Sequence, residues 1–165
     1  NGNCWICVNT HLANKIVHEA ISSGEIPELS NYSNIRSEVK YSTNSRIDFL
    51  LESPDKKPCF VEVKAVSLLG EGKEYLFPDA VTVRGQKHIE DLKSESLKEN
   101  RAVLFFLIQR SDGSSFSPAS DIDPTYARLL KEAHDGGLEI LPYQTKISPE
   151  GISVWKKIPF KPSPK

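Results

Sequence analysis

The sequence predicts an α/β sandwich in which a mixed β-sheet lies between helices. Alternating apolar and polar residues, interrupted by turn residues, run from 35 to 66 and are typical of antiparallel hairpins. Residues 102–109, AVLFFLIQ, form a continuous apolar run between two arginines, which is typical of a central strand covered on both faces. Segments with helical periodicity occur before, between and after these strands.

Three segments have the apolar spacing of amphipathic helices. The first covers residues 11–22 and follows Thr10, whose hydroxyl can accept hydrogen bonds from the first turn. The second covers about 82–98, and the third covers about 124–135 with proline at its first position. The chain is therefore expected to alternate between strands and helices along its length.

Seven segments have the composition of strands. They are CWICV at 4–8, IRSEVKY at 35–41, RIDFLL at 46–51, CFVEVKAV at 59–66, AVLFFLIQ, and the late, peripheral LEILPYQTKIS and ISVWKKI. The rest is predicted to be irregular. LLGEG at 68–72 is expected to be a flexible loop over a substrate groove, 111–122 a second loop, and 159–165 a frayed tail.

Composition restricts the class of protein. A chain of 165 residues suffices for one domain, and a net charge of −1 argues against coating nucleic acid through bulk positive charge. No apolar run approaches the roughly 20 residues that span a bilayer, so no membrane partner is expected. Three cysteines and no signal peptide predict a reduced, cytoplasmic protein. The absence of methionine predicts that the chain does not begin at a natural start, because of a tag, a trimmed sequence or a missing upstream domain.

The segment FVEVKAV carries the residues with chemical potential. Glu62 and Lys64 lie two residues apart in a strand, so both point away from the face that carries the valines. A charged pair on a buried strand costs free energy unless it is paired or binds a metal. Asp48 lies fourteen residues before Glu62, and a turn over 53–58 would make the two acids neighbours.

Two neighbouring carboxylates repel each other unless one is protonated or a cation lies between them. Their oxygen atoms favour Mg²⁺ or Mn²⁺, which suits phosphodiester hydrolysis because the metal polarises a phosphoryl oxygen and activates water. Lys64 would orient that water or stabilise the charge of the transition state. The alternative interpretation is a surface ion pair, because E-x-K is common on solvated strands.

Several longer segments resemble the sugar fermentation stimulation protein A (SfsA) family. They are NTHLANKIVHEAI, NSRIDFLLE, CFVEVKAVSLL, FPDAVTVRGQKHIEDL and DIDPTYARLLKEA, in this order through nearly the whole chain. The family resembles the PD-(D/E)xK nuclease superfamily, which implies a restriction-endonuclease-like sandwich with a central mixed β-sheet flanked by helices. It also implies an N-terminal OB-like domain that is absent here, so residues 1–165 are expected to form a single nuclease-like domain.

The resemblance assigns roles to individual residues. The superfamily motif falls on Asp48, Glu62 and Lys64, with Ile47 at the place of the signature proline. Gln86 resembles the helix glutamine of the superfamily, which implies a catalytic role. A helix glutamate often completes the metal site in the superfamily. Two residues are open for that place, Glu19 and Glu38. Five basic residues are expected to contact phosphates, although each alone can also be explained as a surface residue: Arg36, Arg46, Arg84, Lys87 and Arg110.

Two functions are compatible with these features. The first is a nuclease that uses Mg²⁺ or Mn²⁺, bound by Asp48 and Glu62, to hydrolyse phosphodiester bonds of DNA. The second, implied by the family's description as DNA-binding and linked to sugar metabolism, is a non-catalytic DNA-binding or regulatory protein that keeps the nuclease fold. DNA is the expected partner in both, RNA is not distinguished from it, and the oligomeric state is not predicted.

Overall fold

The computed structural model describes residues 5–7, 9, 12–42 and 45–162. In chain order the elements are α1 (Leu12–Ser22), a 3₁₀ turn (Pro27–Leu29), β1 (Asn34–Lys40), β2 (Arg46–Ser53), β3 (Lys56–Val66), β4 (Leu68–Leu69), β5 (Glu74–Phe77), α2 (Val83–Leu97), β6 (Arg101–Ile108), β7 (Ser115–Pro118), α3 (Pro124–Asp135), β8 (Glu139–Ser148) and β9 (Gly151–Lys157). The strand predicted at 4–8 is wrong for residues 5–7, which are described and form no strand. Residues 4 and 8 and the predicted helix cap Thr10 lie outside the described residues.

Six strands form a mixed sheet in the order β1-β2-β3-β6-β8-β9. β3, β6 and β8 run parallel to one another, whereas β1, β2 and β9 pair antiparallel toward the two edges. The hairpins predicted over 35–66 are β1–β2 and β2–β3. β6 is a central strand, and its residues from Ala102 to Ile108 are all buried, as predicted for this apolar run.

Helices cover both faces of the sheet. Val17 of α1 belongs to the same buried cluster as Phe105 of β6. Leu92 of α2 belongs to the opposite cluster, together with the next β6 residue, Phe106. Because successive residues of a strand point to opposite faces, β6 contributes to both cores and the sheet is the middle layer of a sandwich.

Two regions expected to be loops form a second, three-stranded sheet. β4 pairs antiparallel with β5, and β5 pairs parallel with β7. The strands have two to four residues, too few for alternation to be recognised in the sequence. Tyr75 of β5 and Phe116 of β7 are fully buried, which explains why these short strands are ordered.

The expected frayed tail is wrong for residues 159–161. The amide of Phe116 donates to the carbonyl of Pro159 at 2.9 Å, and the amide of Lys161 donates to the carbonyl of Phe116 at 2.8 Å. The ring of Phe160 packs edge-on against His134 with 5.1 Å between centroids. These contacts attach the segment to β7 and α3.

The predicted helices are confirmed with small changes in their bounds. Thr82 caps α2 by accepting a hydrogen bond from the amide of Gly85, and Asp123 caps α3 by accepting one from the amide of Tyr126. Among the described residues, no helix has both the length and the apolar character that a bilayer crossing requires.

Candidate metal and catalytic site

The site forms where β2 and β3 separate. Their ladder pairs Phe49 with Val61, and no further pairing toward Asp48 and Glu62 follows. There the amide of Val63 donates to Oδ2 of Asp48 at 2.7 Å instead of to a backbone carbonyl. A hydrogen bond to a side chain thus replaces the backbone pairing between β2 and β3. It also fixes the carboxylate of Asp48 beside β3.

Asp48 is held from a second side by α1. Nδ2 of Asn14 donates to Oδ1 of Asp48 at 2.8 Å. Burial raises the pKa of Asp48 to about 6, and the negative charge of Glu62 contributes to this rise. A carboxyl group with a raised pKa beside a second acid favours a proton or a cation between them.

Glu62 points to the face of β3 opposite the valines, as predicted, but α2 covers this face. The side chain is therefore buried, with 3% of its residue surface exposed. Its Oε1 accepts a hydrogen bond from Nζ of Lys64 at 2.8 Å and contacts Nδ1 of His88. Burial alone would raise the pKa of Glu62, but His88 and Lys64 together hold it below its ordinary value.

The two oxygens of Glu62 differ sharply. Oε1 has two nitrogen partners, whereas the buried Oε2 has no hydrogen-bond partner among the described residues. A buried carboxylate oxygen without a partner is costly, and a bound cation would satisfy it. The residues therefore fit a divalent cation held by Glu62 and Asp48, both of which offer the oxygen ligands that Mg²⁺ and Mn²⁺ prefer.

The protein contributes few ligands to such a site. In the part of the chain that the structure describes, no group of three or more His, Cys, Asp or Glu side chains is arranged to hold a metal. The remaining coordination positions would fall to water, backbone carbonyls or substrate. Mg²⁺ commonly keeps several waters in this way.

Two surface cavities adjoin the site and meet at Asn14. One, of about 480 Å³, is lined by Asn14, Lys64 and Asp79 among others. The other, of about 290 Å³, is lined by Asn14, Asp48 and Glu38 among others. Because Asn14 lines both, Lys64 and Asp48 line two neighbouring cavities on either side of this residue.

Comparison with known proteins agrees with this architecture. Residues 11–151 match the family model described as the sugar fermentation stimulation protein RE domain. The chain is 51% identical over 156 residues to the sugar fermentation stimulation protein homolog of Pelobacter propionicus, which covers 94% of this chain and 67% of the relative. It is 52% identical over 157 residues to the homolog of Geotalea daltonii, which covers 95% of this chain and 67% of that relative.

The chain belongs to the sugar fermentation stimulation protein family. It spans about two thirds of the length of these relatives. The structure of Pyrococcus furiosus SfsA in complex with Ca²⁺ superposes with a TM-score of 0.83 and 32% identity, over 92% of this chain and 64% of that one. The predicted family and the restriction-endonuclease-like α/β sandwich are both confirmed.

The two glutamates left open for the family's metal site lie in different places. Glu38 lines the cavity that also contains Asp48. Glu19 is exposed and pairs with Lys15 at 4.0 Å on the outer side of α1. Five residues separate Glu19 from Asn14, which turns it about 140° around the helix from the side chain that contacts Asp48. The geometry therefore favours Glu38 over Glu19.

The structure does not bring Gln86 to the acid pair. Its Nε2 donates to both carboxylate oxygens of Asp123 at 3.0 Å, so it joins the first turn of α2 to the cap of α3. The catalytic role implied by the resemblance has no contact that supports it. His88, two residues later on α2, contacts Glu62 instead.

The residues expected to contact phosphates have varied surroundings. Nζ of Lys87 is 2.6 Å from Oγ of Ser45 and 2.7 Å from Asp91. Arg110 donates two hydrogen bonds to Asp112, at 2.7 and 2.8 Å, and a third to the carbonyl of Ser67. These contacts give Lys87 and Arg110 roles in joining loops and helices, so their predicted phosphate contacts are not supported by the geometry.

The other three arginines are exposed. Arg36 lies on the edge strand β1, 3.7 Å from Glu52. Arg46 begins β2. Nε of Arg84 lies 3.4 Å from Nε2 of His88, which places this arginine next to the site. Among the described residues, Arg84 is the one of these five that contacts His88, the partner of Glu62.

Sequence reasoning missed Asn14 and His88. Asn14 lies within α1 (Leu12–Ser22), where a neutral amide carries no distinctive signal in the sequence. His88 lies in the buried stripe of α2, between Gly85 and Leu92. A histidine inside an otherwise apolar stripe, near an acid on the strand beneath, was the signal that could have identified it.

Proposed function

We propose that this domain hydrolyses phosphodiester bonds of DNA, using Mg²⁺ or Mn²⁺ bound by Asp48 and Glu62. The observation that carries the proposal is the unpartnered, buried Oε2 of Glu62, an acid whose negative charge acts with burial to raise the pKa of Asp48 to about 6. Two acids that only balance surface charge would lie in water, where neither burial nor a missing partner would arise.

The chain's own residues prepare the site before any metal binds. Asn14 and the amide of Val63 fix the carboxylate of Asp48, and Lys64 holds Glu62 through Oε1. A bound divalent cation would polarise a phosphoryl oxygen and lower the pKa of a coordinated water. The ammonium of Lys64, at the wall of the larger cavity, can orient the attacking water or offset the charge on the phosphoryl group.

The family adds support for the binding of a divalent cation. Catalysis is tested by the experiment below. The related P. furiosus SfsA was solved in complex with Ca²⁺, a cation that binds oxygen ligands as Mg²⁺ does. A DNA-binding protein without catalysis would use positive charge to bind DNA. It would have no need, however, for two acids next to a phosphate backbone that carries negative charge.

Cleavage assays test this proposal. Labelled single-stranded, duplex and flapped DNA, with matched RNA, would be incubated with Mn²⁺, with Mg²⁺ and with chelator. We expect metal-dependent products for the wild-type chain and a rate lower by about 10²–10³-fold for Lys64→Ala. Lys131→Ala, which changes an exposed lysine paired with Asp135 on α3, is the matched control.

Two results would contradict nuclease activity. Products that form equally with chelator or with Lys64→Ala would come from a contaminating enzyme. Metal-independent DNA binding without products would identify the domain as the non-catalytic DNA-binding form of the fold.

A further inference from the structure

Two nitrogen donors converge on one oxygen of Glu62. Nζ of Lys64 and Nδ1 of His88 both contact Oε1, and the two nitrogens are 3.2 Å apart. Oε2 of the same carboxylate has no partner among the described residues. One side of the carboxylate is thus held by the protein, and the other is left for a ligand.

The hydrogen-bond pattern assigns the tautomer of His88. Nε of Arg84 donates toward Nε2 of His88 at 3.4 Å, one helical turn away on α2. When Nε2 accepts from Arg84, the ring hydrogen lies on Nδ1 and is donated to Glu62. His88 is 6% exposed, so the surrounding protein restricts the movement of its ring.

The ammonium of Lys64 cannot stay bonded to Glu62 while it moves to contact a substrate. An ammonium that moves toward the attacking water or a phosphate leaves Glu62 Oε1, which is buried and would lose its cationic partner. His88 cannot leave in the same way because its ring is fixed from both sides, by Arg84 and by Glu62.

We propose that His88 is a positioning residue that holds Glu62 Oε1 while Lys64 is engaged with substrate, so that Oε2 stays directed at the cation. The inference rests on the proposed function and adds a residue that the family motif D…E-x-K does not contain. His88 donates a hydrogen bond and transfers no proton. Residues that orient a metal ligand in this way commonly contribute about 10–100-fold to metal affinity or activity.

Amide substitutions separate this role from packing. In His88→Asn the side-chain nitrogen can occupy the place of Nδ1, whereas in His88→Gln it lies near the place of Nε2. His88→Ala removes the donor. His134→Asn, at an exposed histidine on α3, is the matched control for the change of residue type. Thermal unfolding without metal establishes that each variant is folded before it is compared.

Mn²⁺ binding by calorimetry and steady-state cleavage of DNA would be measured for each variant. We expect His88→Gln and His88→Ala to lose about 10–100-fold in Mn²⁺ affinity and in kcat, with KM for DNA changed by less than about threefold. His88→Asn should retain most of both, and His134→Asn should match the wild type. If His88→Ala does not fold, the comparison is made between His88→Asn and His88→Gln, whose amide side chains are similar in polarity.

The outcomes distinguish this inference from the proposed function. Wild-type Mn²⁺ affinity in His88→Gln, or equal losses in the Asn and Gln variants, would overturn the positioning role and leave the metal site intact. A raised KM with unchanged kcat would also overturn it, since that pattern indicates a lost contact to DNA. Absence of Mn²⁺ binding by the wild-type chain would overturn the proposed function and this inference together.

Discussion

Consecutive turns of α2 contact two buried acids that differ in how many of their carboxylate oxygens accept hydrogen bonds. The first turn meets Asp123, whose oxygens accept from the amides of Thr82 and Tyr126 and from Gln86. The next turn meets Glu62, which is bonded through one oxygen only. An acid saturated by the protein stabilises the fold, whereas an acid left half satisfied is available to a ligand.

Electrostatics agree with this difference. Burial would raise the pKa of Asp123, but the donors around it lower it below its ordinary value, so it is ionised and needs no further partner. Asp48, by contrast, has a pKa raised to about 6, first by burial and then by the negative charge of Glu62.

The change with the largest expected effect is Glu62→Gln. It keeps the shape of the side chain but removes the charge, so we expect Mn²⁺-dependent cleavage to fall by about 10²–10³-fold and calorimetric Mn²⁺ binding to be lost. Asp123→Asn, the matched acid-to-amide change, should keep Mn²⁺ binding. Equal Mn²⁺ affinities in wild type and Glu62→Gln would show that Glu62 is another structural acid.

The second prediction concerns pH and Asp48. Because the pKa of Asp48 is raised from 3.8 to about 6 on folding, its proton favours the folded chain. The stabilisation is complete below about pH 4 and is lost as pH rises through about 6, by about 1–3 kcal/mol. Urea unfolding without metal, compared with Asp48→Asn between pH 4.5 and 7.5, should show this loss in the wild type alone.

Two features make the pH experiment specific. The lowered pKa of Glu62 acts with the opposite sign, and its contribution is lost only as pH falls below about 4.5, outside the window. Saturating Mn²⁺ should suppress the loss, because a bound cation replaces the proton between the acids. A wild-type profile parallel to that of Asp48→Asn would contradict the described environment of Asp48.

The third prediction concerns Asp123, the acid whose oxygens all accept hydrogen bonds from the protein. Asp123→Ala removes the cap of α3 and leaves the amide of Thr82 without its acceptor, so we expect the free energy of unfolding to fall by about 2 kcal/mol. The increase in melting temperature caused by Mn²⁺ should be unchanged. A loss of that metal-induced shift in a folded variant would mean that the two acids act as one unit.

The smallest expected effect separates Glu38 from Glu19. Glu38→Gln removes a charge from the cavity beside Asp48, and we expect Mn²⁺ affinity to fall by about two- to threefold through solvent-screened attraction. Glu19→Gln changes an exposed charge that pairs with Lys15 and should leave the affinity unchanged. The reverse order in calorimetry would place the helix glutamate at the metal after all.

Much of the fold could be predicted because the segments with the clearest apolar patterns in the sequence are long. The apolar run of β6 and the periodic segments of α2 and α3 each span at least two turns or eight strand residues. The short strands β4, β5 and β7 could not be predicted in this way. Their order comes from tertiary contacts such as the burial of Tyr75 against Gly113, whose carbonyl accepts from the tyrosine hydroxyl at 3.0 Å.

The site could be predicted in part for the same reason. Alternation in β3 directs Glu62 and Lys64 to one face, and a hairpin brings Asp48 near them, so these three follow from local rules. Partners that come from distant segments, Asn14 and His88, depend on how helices pack on the sheet. The resemblance assigned Gln86, yet packing of α2 against α3 directs its amide to Asp123.

The most direct test of a cation shared by Asp48 and Glu62 is anomalous diffraction from crystals of this chain soaked in Mn²⁺. The account predicts one peak about 2 Å from Oε2 of Glu62 and from a carboxylate oxygen of Asp48. It also predicts no such peak in Glu62→Gln crystals treated identically. Ordered acids with no Mn²⁺ between them, at a concentration that saturates the calorimetric signal, would contradict it.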